Sequence, residues 1–258
     1  MANWDTAFSD ASKALKVWFE TPLGQAFCAR EQQVIESLAV HAFGYYSVHL
    51  GPGKQFLSKM LGNFQCSLSL QPDICLYDLD TCWRRVIFHP DQLPLANGSI
   101  DLVVIRHGLD ISHNPHQLLR EVARIIAPGG RVIIAGFNPL SSWGLWRLLR
   151  FKMGVPWGSR FLQLRRLQDW LNLLSFQQLA CCSFFFNLPI SRASRLQSDN
   201  VMEQFCSKRG IQLGAGYVLS AVKLQTRVHL LRPRWQTVMS KPRFSLVGAN
   251  ATPDYEAK

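Results

Sequence analysis

Long apolar runs are missing from this chain of 258 residues. The longest, such as Leu102 to Ile105, Val132 to Ala135 and Leu179 to Cys182, fall far short of the roughly 20 residues a membrane-spanning helix needs. The opening Met1-Ala2-Asn3-Trp4-Asp5 carries neither the basic flank nor the apolar stretch of a secretory signal, so the expected location is cytoplasmic. Seven cysteines are present but no Cys-x-x-Cys, which removes the basis for a zinc ribbon or a disulfide framework. Reduced thiols acting as small core residues are expected instead. His113 and His116 stand three apart, yet Asn114-Pro115 breaks any helix between them and no third ligand is suggested, so no metal site is expected. Acids are also scarce, 17 against 28 Lys and Arg, for a net charge of +11. With 48% hydrophobic and 17% charged residues the chain is neither disordered nor fibrous. Its length suits one large α/β domain or two small ones with a real core.

The basic excess is local. From Arg147 to Arg243 there are 16 Lys and Arg against three acids, Asp169, Asp199 and Glu203, while the rest of the chain is close to balanced. Such a surface favours an anionic partner, whether RNA, an anionic membrane face or an acidic substrate, or is simply a solvated basic face. Trp143, Trp146, Trp157 and Trp170 punctuate the same stretch among its arginines. Aromatic and basic interleaving of this kind suits bases and phosphates or a lipid surface, and equally an amphipathic helix with snorkelling arginines.

Periodicity divides the chain into a helical extension over 1–40, an α/β domain over 41–226 and a basic, proline-containing tail over 227–258 that reads as flexible. The extension reads as helices over Ala11 to Phe19 and Ala26 to Val40, interrupted at Thr21-Pro22. Strands follow at Tyr45 to Leu50, Gln65 to Leu70, Arg84 to Phe88, Ile100 to Ile105 and Arg131 to Phe137. Helices are read near Gln55 to Leu61, Pro115 to Ile126, Trp143 to Arg150 and Leu164 to Leu174. Pro128-Gly129-Gly130 reads as a turn between the helix from Pro115 and the fifth strand. Two late strands, Gln178 to Phe186 and Tyr217 to Lys223, flank a helix near Asn200 to Lys208. Alternating strand and helix predicts a doubly wound, mostly parallel sheet. Ligands of such sheets sit beyond the carboxyl ends of the strands at the switch point. Here those ends are Gly51-Pro52-Gly53, Pro72-Asp73, His89 to Leu93 and Arg106-His107-Gly108.

Gly51-Pro52-Gly53 lets backbone approach a ligand at a helix start. The third glycine of a dinucleotide fingerprint and the Gly-Lys-Ser/Thr of a P-loop are both absent, which puts a nicotinamide enzyme behind. Asp73 follows Gly51 by 22 residues, a spacing that suits an acceptor for ribose hydroxyls, and it also fits a plain Pro-Asp turn. The segment Leu93-Pro94-Leu95-Ala96-Asn97-Gly98-Ser99-Ile100-Asp101-Leu102-Val103-Val104, then His107, then Pro115 through Glu121-Val122-Ala123-Arg124 to Pro128-Gly129-Gly130-Arg131-Val132 closely resembles the latter half of a class I S-adenosylmethionine-dependent methyltransferase domain of the type-11 kind. Phe137-Asn138-Pro139 and Ser142-Trp143-Gly144-Leu145 resemble a bacterial subgroup of uncharacterised methyltransferase-like proteins.

That resemblance implies a Rossmann-like, seven-stranded sheet whose last two strands form an antiparallel pair, with S-adenosylmethionine as cofactor. It implies that Gly51 and Gly53 pass the methionine part and Asp73 takes the ribose. Asp91, Gln92 and Leu93 would border the adenine, with Arg106 and His107 near the transferred methyl. No catalytic residue is assigned; His107 is the candidate base, with Asp110 to orient it, and equally fits a histidine that caps or braces that loop without chemistry. Asn138-Pro139 is read as turning the chain. The sequence departs from the pattern at His49, where an acid is usual, at Gln55 in place of a third glycine, at the stiff Pro52, and at His89, where the adenine-contacting acid falls. Two readings therefore stand: a methyltransferase of unknown acceptor, or an inactive methyltransferase-like scaffold that binds through its basic C-terminal half.

Overall fold

The computed structural model describes residues 3–52, 63–71, 84–150, 156, 159–186 and 213–224. Gly53, Asp73, the helices read near Gln55 to Leu61 and Asn200 to Lys208, and the tail over 227–258 lie outside the described residues. Two helices lead, α1 (Asn3–Phe19) and α2 (Pro22–Ala39), followed by β1 (Gly44–Leu50), β2 (Phe64–Gln71), β3 (Arg84–Ile87) and β4 (Ile100–Arg106). Then come α3 (Gly108–Ile111), α4 (Pro115–Ile125), β5 (Ile126–Phe137), α5 (Ser142–Arg150), α6 (Leu164–Leu173), β6 (Phe176–Phe184) and β7 (Gly216–Lys223). The seven strands form one sheet in the order β3-β2-β1-β4-β5-β7-β6. All pairings are parallel except those of β7, which runs against both β5 and β6. The strand order reverses between β1 and β4, so their carboxyl ends frame the switch point.

Each face of the sheet is covered because β4 and β5 are apolar on both sides. Val103, Ile105, Val132 and Ile134 face one core, which α4 supplies with Leu118, Leu119, Val122 and Ile125 and α6 with Leu167 and Leu171. Leu102, Val104, Ile133 and Ala135 face the other, where Phe27, Phe137 and Trp143 form an aromatic centre. Helix α1 contributes Phe8 to the first core and Leu15 and Phe19 to the second. It therefore crosses from one face to the other over the carboxyl edge of the sheet. No helix among the described residues is long and apolar enough to cross a membrane.

Helix starts follow their local chemistry. Thr21 does more than interrupt: its side chain accepts from Gly24 N and caps α2, with Pro22 in the first turn. Asn114 does the same for α4, accepting from Gln117 N ahead of Pro115. Asn138 turns the chain after β5, its Oδ1 accepting from Leu140 N at 3.0 Å and its Nδ2 donating to Gly214 O at 3.0 Å. Pro128-Gly129-Gly130 departs from the expected turn. Strand β5 already begins at Ile126, and the three residues are absorbed where the register with β4 slips between Ile100 and Leu102. Gly129 has φ +83, and a Cβ on Gly130 would meet Ala127 O at 2.9 Å, so the irregularity needs glycine at both places.

The turn over Leu93 to Asn97 is held by one ion pair on α4. Glu121 accepts from Leu93 N at 3.0 Å and pairs with Arg124 at 2.8 Å. Arg124 in turn donates to Leu93 O, Leu95 O and Asn97 Oδ1. Arg124→Ala strands these acceptors, and the expected loss is about 1.5–3 kcal/mol in chemical denaturation, the range for charge-assisted hydrogen bonds. A loss below about 0.5 kcal/mol would mean the turn is held by packing alone.

Candidate functional site

The switch point is built on a close backbone contact. Gly51, which ends β1, has φ +132, and a Cβ there would overlap the Arg106 carbonyl oxygen at the end of β4. Only glycine satisfies both conditions. The next residue of that strand end, His107, stands in the left-handed region at φ 52 and ψ 7, with its N donating to Ala135 O. A left-handed non-glycine residue is held only where its surroundings over-determine it. Here the surroundings are the side chains of Glu31, Arg106 and Asp110.

Arg106 donates to Glu31 Oε2 of α2, with both side chains buried. His107 Nε2 lies 3.2 Å from Glu31 Oε1, and its Nδ1 lies 3.0 Å from Asp110 Oδ2. Asp110 Oδ2 also accepts from Phe137 N at 3.0 Å, which ties the group to the end of β5. Burial by itself would discharge these groups; their mutual attraction reverses most of it. Burial raises the Glu31 carboxyl, but Arg106 and His107 outweigh that and hold it down at about 2. Burial lowers His107, but Glu31 and the Asp110 hydrogen bond bring it up to about 9. Arg106 is raised further by Glu31 against the same burial penalty. Asp110 remains raised, since burial exceeds the pull of His107. Beside Arg106, His49 is pushed down to about 3 by burial and then by the arginine's charge, so it is neutral. The carboxylate that meets Arg106 comes from Glu31 on α2.

A separate cleft of about 170 Å³ opens at the other side of the edge. Its lining is Phe8 from α1, His89, Pro90 and Asp91 after β3, and Ser112, His113 and Asn114 ahead of α4. Phe8 packs edge-on against Phe88, so α1 forms one wall. His89 takes part in the turn itself: its Nδ1 accepts from Asp91 N at 3.1 Å. Two buried polar atoms at this edge, Ser112 Oγ at the cleft and Gln71 Oε1 at the end of β2, have no hydrogen-bond partner among the described residues. An orphaned buried acceptor or donor costs about 1–3 kcal/mol, which a ligand group can relieve.

The residues expected from sequence therefore separate into three groups. Gly51 sits at the switch point, and Asp91 lines the cleft while its carbonyl accepts from Gln117 Nε2. Gln92 is exposed in the short turn bridged to His89, and Leu93 points into the core. Arg106 and His107 are enclosed, with His107 at 0% exposure, so neither side chain meets a substrate at the surface. Asp110 hydrogen-bonds His107, and the two belong to a buried network. Sequence reasoning missed Glu31, Phe8 and Ser112. Glu31 left a trace: the buried stripe of α2 runs Phe27, Glu31, Ile35, Ala39, an acid at the centre of an apolar face.

Residues 48–134 match the model of a family described as methyltransferase domain. An uncharacterised protein of Escherichia coli, YafS, is 29% identical over 168 residues, 65% of this chain and 67% of its own length. A demethylmenaquinone methyltransferase of Thermobifida fusca is 37% identical over 71 residues, which is 27% of this chain and 30% of that enzyme. Among solved structures, an S-adenosylmethionine-dependent methyltransferase of Thermotoga maritima, described as a possible histamine N-methyltransferase, superposes with a TM-score of 0.63. It is 16% identical and covers 85% of this chain and 99% of its own.

Linkage fixes how the network responds to pH. His107, raised from its ordinary 6.5 to about 9, contributes stability that is fully present below about pH 6.5 and lost as pH rises through 9. Glu31, lowered from 4.5 to about 2, contributes above pH 4.5 and loses that as pH falls through 2, while Asp110 acts oppositely on the acid side. The diagnostic limb is alkaline: unfolding free energy should decline between pH 6.5 and 9. Glu31→Gln should cost about 3–5 kcal/mol at pH 6, since it leaves buried cations uncompensated, and should flatten that limb. A parent profile that is level from pH 6 to 9 in urea melts would show that His107 is not held as a cation.

Proposed function

We propose, for a chain that belongs to the type-11 family of class I methyltransferases, that it transfers a methyl group from S-adenosylmethionine at the carboxyl edge of its sheet. The observation that carries the proposal is the carboxyl edge of the sheet: Gly51 closes on the Arg106 backbone at the switch point, and the cleft at that edge holds the buried Ser112 Oγ, which has no hydrogen-bond partner among the described residues. S-adenosylmethionine supplies a methyl on a sulfonium sulfur, open to in-line displacement by an acceptor lone pair. What remains for the protein is binding, alignment and exclusion of water.

On this reading Gly51 and Gly53 let the backbone approach the methionine part. Asp73, with Gln71 beside it in sequence, accepts from the ribose hydroxyls. Asp91, Gln92 and Leu93 border the adenine, which occupies the cleft between His89 and Asn114 under the ring of Phe8. Arg106 and His107 act as positioning residues. Through Glu31 and Asp110 they fix the end of β4 against α2 and β5, where the methyl is presented. His107 is poorly suited to be a base, since a group that titrates near 9 is already protonated at neutral pH. The acceptor therefore brings its own lone pair or passes its proton to water. The fold would divide into a helical extension over 1–40, the methyltransferase domain over 41–226 and the tail over 227–258. The demethylmenaquinone methyltransferase relatives suggest including demethylmenaquinone among the first acceptors screened.

Calorimetric titration with S-adenosylhomocysteine tests the reading, since the product uses the same pocket and is not consumed. A one-to-one isotherm of about micromolar dissociation constant is expected, about 8 kcal/mol of binding free energy. Gly51→Val should abolish the heat and, because its Cβ meets the Arg106 carbonyl, lower the melting temperature as well. No heat at millimolar ligand in the folded parent chain would leave a methyltransferase fold retained without its cofactor.

A further inference from the structure

Helix α1 lies along the carboxyl edge of the sheet, and its contacts at either end fix that course. Phe8 packs edge-on against Phe88, just past β3, with ring centroids 6.2 Å apart. Phe19 lies 5.6 Å from the His107 ring at the end of β4, and Trp18 lies 5.9 Å from Phe137 at the end of β5. Ten steps of helix span about 15 Å and four inter-strand steps about 19 Å. Between Phe8 and Trp18 the helix therefore runs over the intervening ends of β2, β1 and β4. Along those same ends the proposed cofactor would lie. The cleft beside Phe8, about 170 Å³, has room for one end of it, since a small-molecule site offers roughly 300–1,000 Å³.

The middle of α1 is closed down on that edge. Its buried stripe runs Phe8, Ser12, Leu15 and Phe19, with Ser12 and Leu15 at 0% exposure. Ser12 Oγ, inside the stripe, has no hydrogen-bond partner among the described residues. Such a serine opposes closure, because a buried hydroxyl left unpaired loses its water and gains nothing in return. The carboxyl-terminal end of α1 is anchored. Trp18 packs on Phe27, Phe137 and Trp143, its carbonyl accepts from Thr21 Oγ at 2.7 Å, and a Cβ on Gly24 would overlap that carbonyl. We infer that α1 is an autoinhibitory strap, pinned at the Trp18–Thr21 corner, whose part from Phe8 to Leu15 must lift before S-adenosylmethionine can lie along the strand ends. On the cofactor reading, on which the strap's role rests, only the open form binds. The apparent dissociation constant is then the intrinsic one divided by the open fraction.

Stability and affinity should therefore move in opposite directions. Ser12→Ala removes the orphaned hydroxyl from the closed form, so it should raise the melting temperature and weaken S-adenosylhomocysteine binding about tenfold in calorimetric titration. Leu15→Ala, outside the cleft lining, leaves a cavity under the closed strap; it should melt lower and bind at least roughly fivefold tighter. Hydrogen exchange of the full chain without ligand reads the motion itself. Amides from residue 8 to 15 should exchange through a partial opening, at least roughly a hundredfold faster than those around Glu31 in α2. Exchange of both helices at one rate would overturn the strap, as would unchanged affinity in both variants or weaker binding by Leu15→Ala. Partial opening with no heat from any of the three proteins would sink the cofactor reading instead, and with it the strap's role over the site.

Discussion

Four ionisable side chains meet where water does not reach, and the rest of the site depends on their charges cancelling. Glu31 pairs with both Arg106 and His107, and Asp110 hydrogen-bonds the other ring nitrogen of His107. Removing four charges from water costs several kcal/mol per ion, and only mutual pairing with tight geometry recovers it. Such a group is therefore poor at adding stability and good at specifying arrangement. α2 can dock on the sheet in one register, the one that delivers Glu31 to the end of β4. β5 is drawn into the same arrangement through Phe137 N on Asp110. The left-handed backbone of His107 is held from both sides by these bonds.

Gly51 transmits that rigidity to the switch point. Its contact with the Arg106 carbonyl means that the glycine turn rests directly on the strand end that the ion network fixes. On the far side, Glu121 and Arg124 do comparable work for the turn after β3, clasping Leu93, Leu95 and Asn97. The cleft between lies among three supports of different chemistry: an ion cluster, a surface ion pair and the hydrophobic wall of α1. This explains how the departures at His49 and His89 can coexist with an ordered edge. Burial and the Arg106 charge keep His49 neutral, and His89 accepts from the Asp91 amide within its own turn.

The fold was legible because its evidence is local. β4 and β5 announce themselves as continuous apolar runs, and Asn114-Pro115 marks the start of α4 by its capping chemistry alone. Two late strands were read from the residues, and their antiparallel pairing was what the family resemblance implied. The errors have equally local causes. Pro128-Gly129-Gly130 has the composition of a turn, and nothing in sequence distinguishes a turn from a bulge within a strand. Four-residue α3 is too short to show a period. The site was legible in part: the segment from Asp91 to Arg124 carries its pattern in consecutive residues. Glu31 lies 75 positions from Arg106, and only its place in the apolar stripe of α2 hints at a buried partner. No spacing rule could say which cation it would meet, or that His107 would face inward and not toward the opening.

The same separation sets an order on the chain as it is made. At synthesis rates of roughly 5–20 residues per second, about 4–15 s pass between the emergence of Glu31 and that of its arginine, 75 residues later. Throughout that interval α2 presents Phe27, Ile35 and Ala39 with an unneutralised carboxylate among them. The charge discourages the stripe from settling onto any other apolar surface, since burying it unpaired would cost several kcal/mol. A residue that looks like a defect in a hydrophobic face thus keeps the nascent helix waiting for the strand it belongs to.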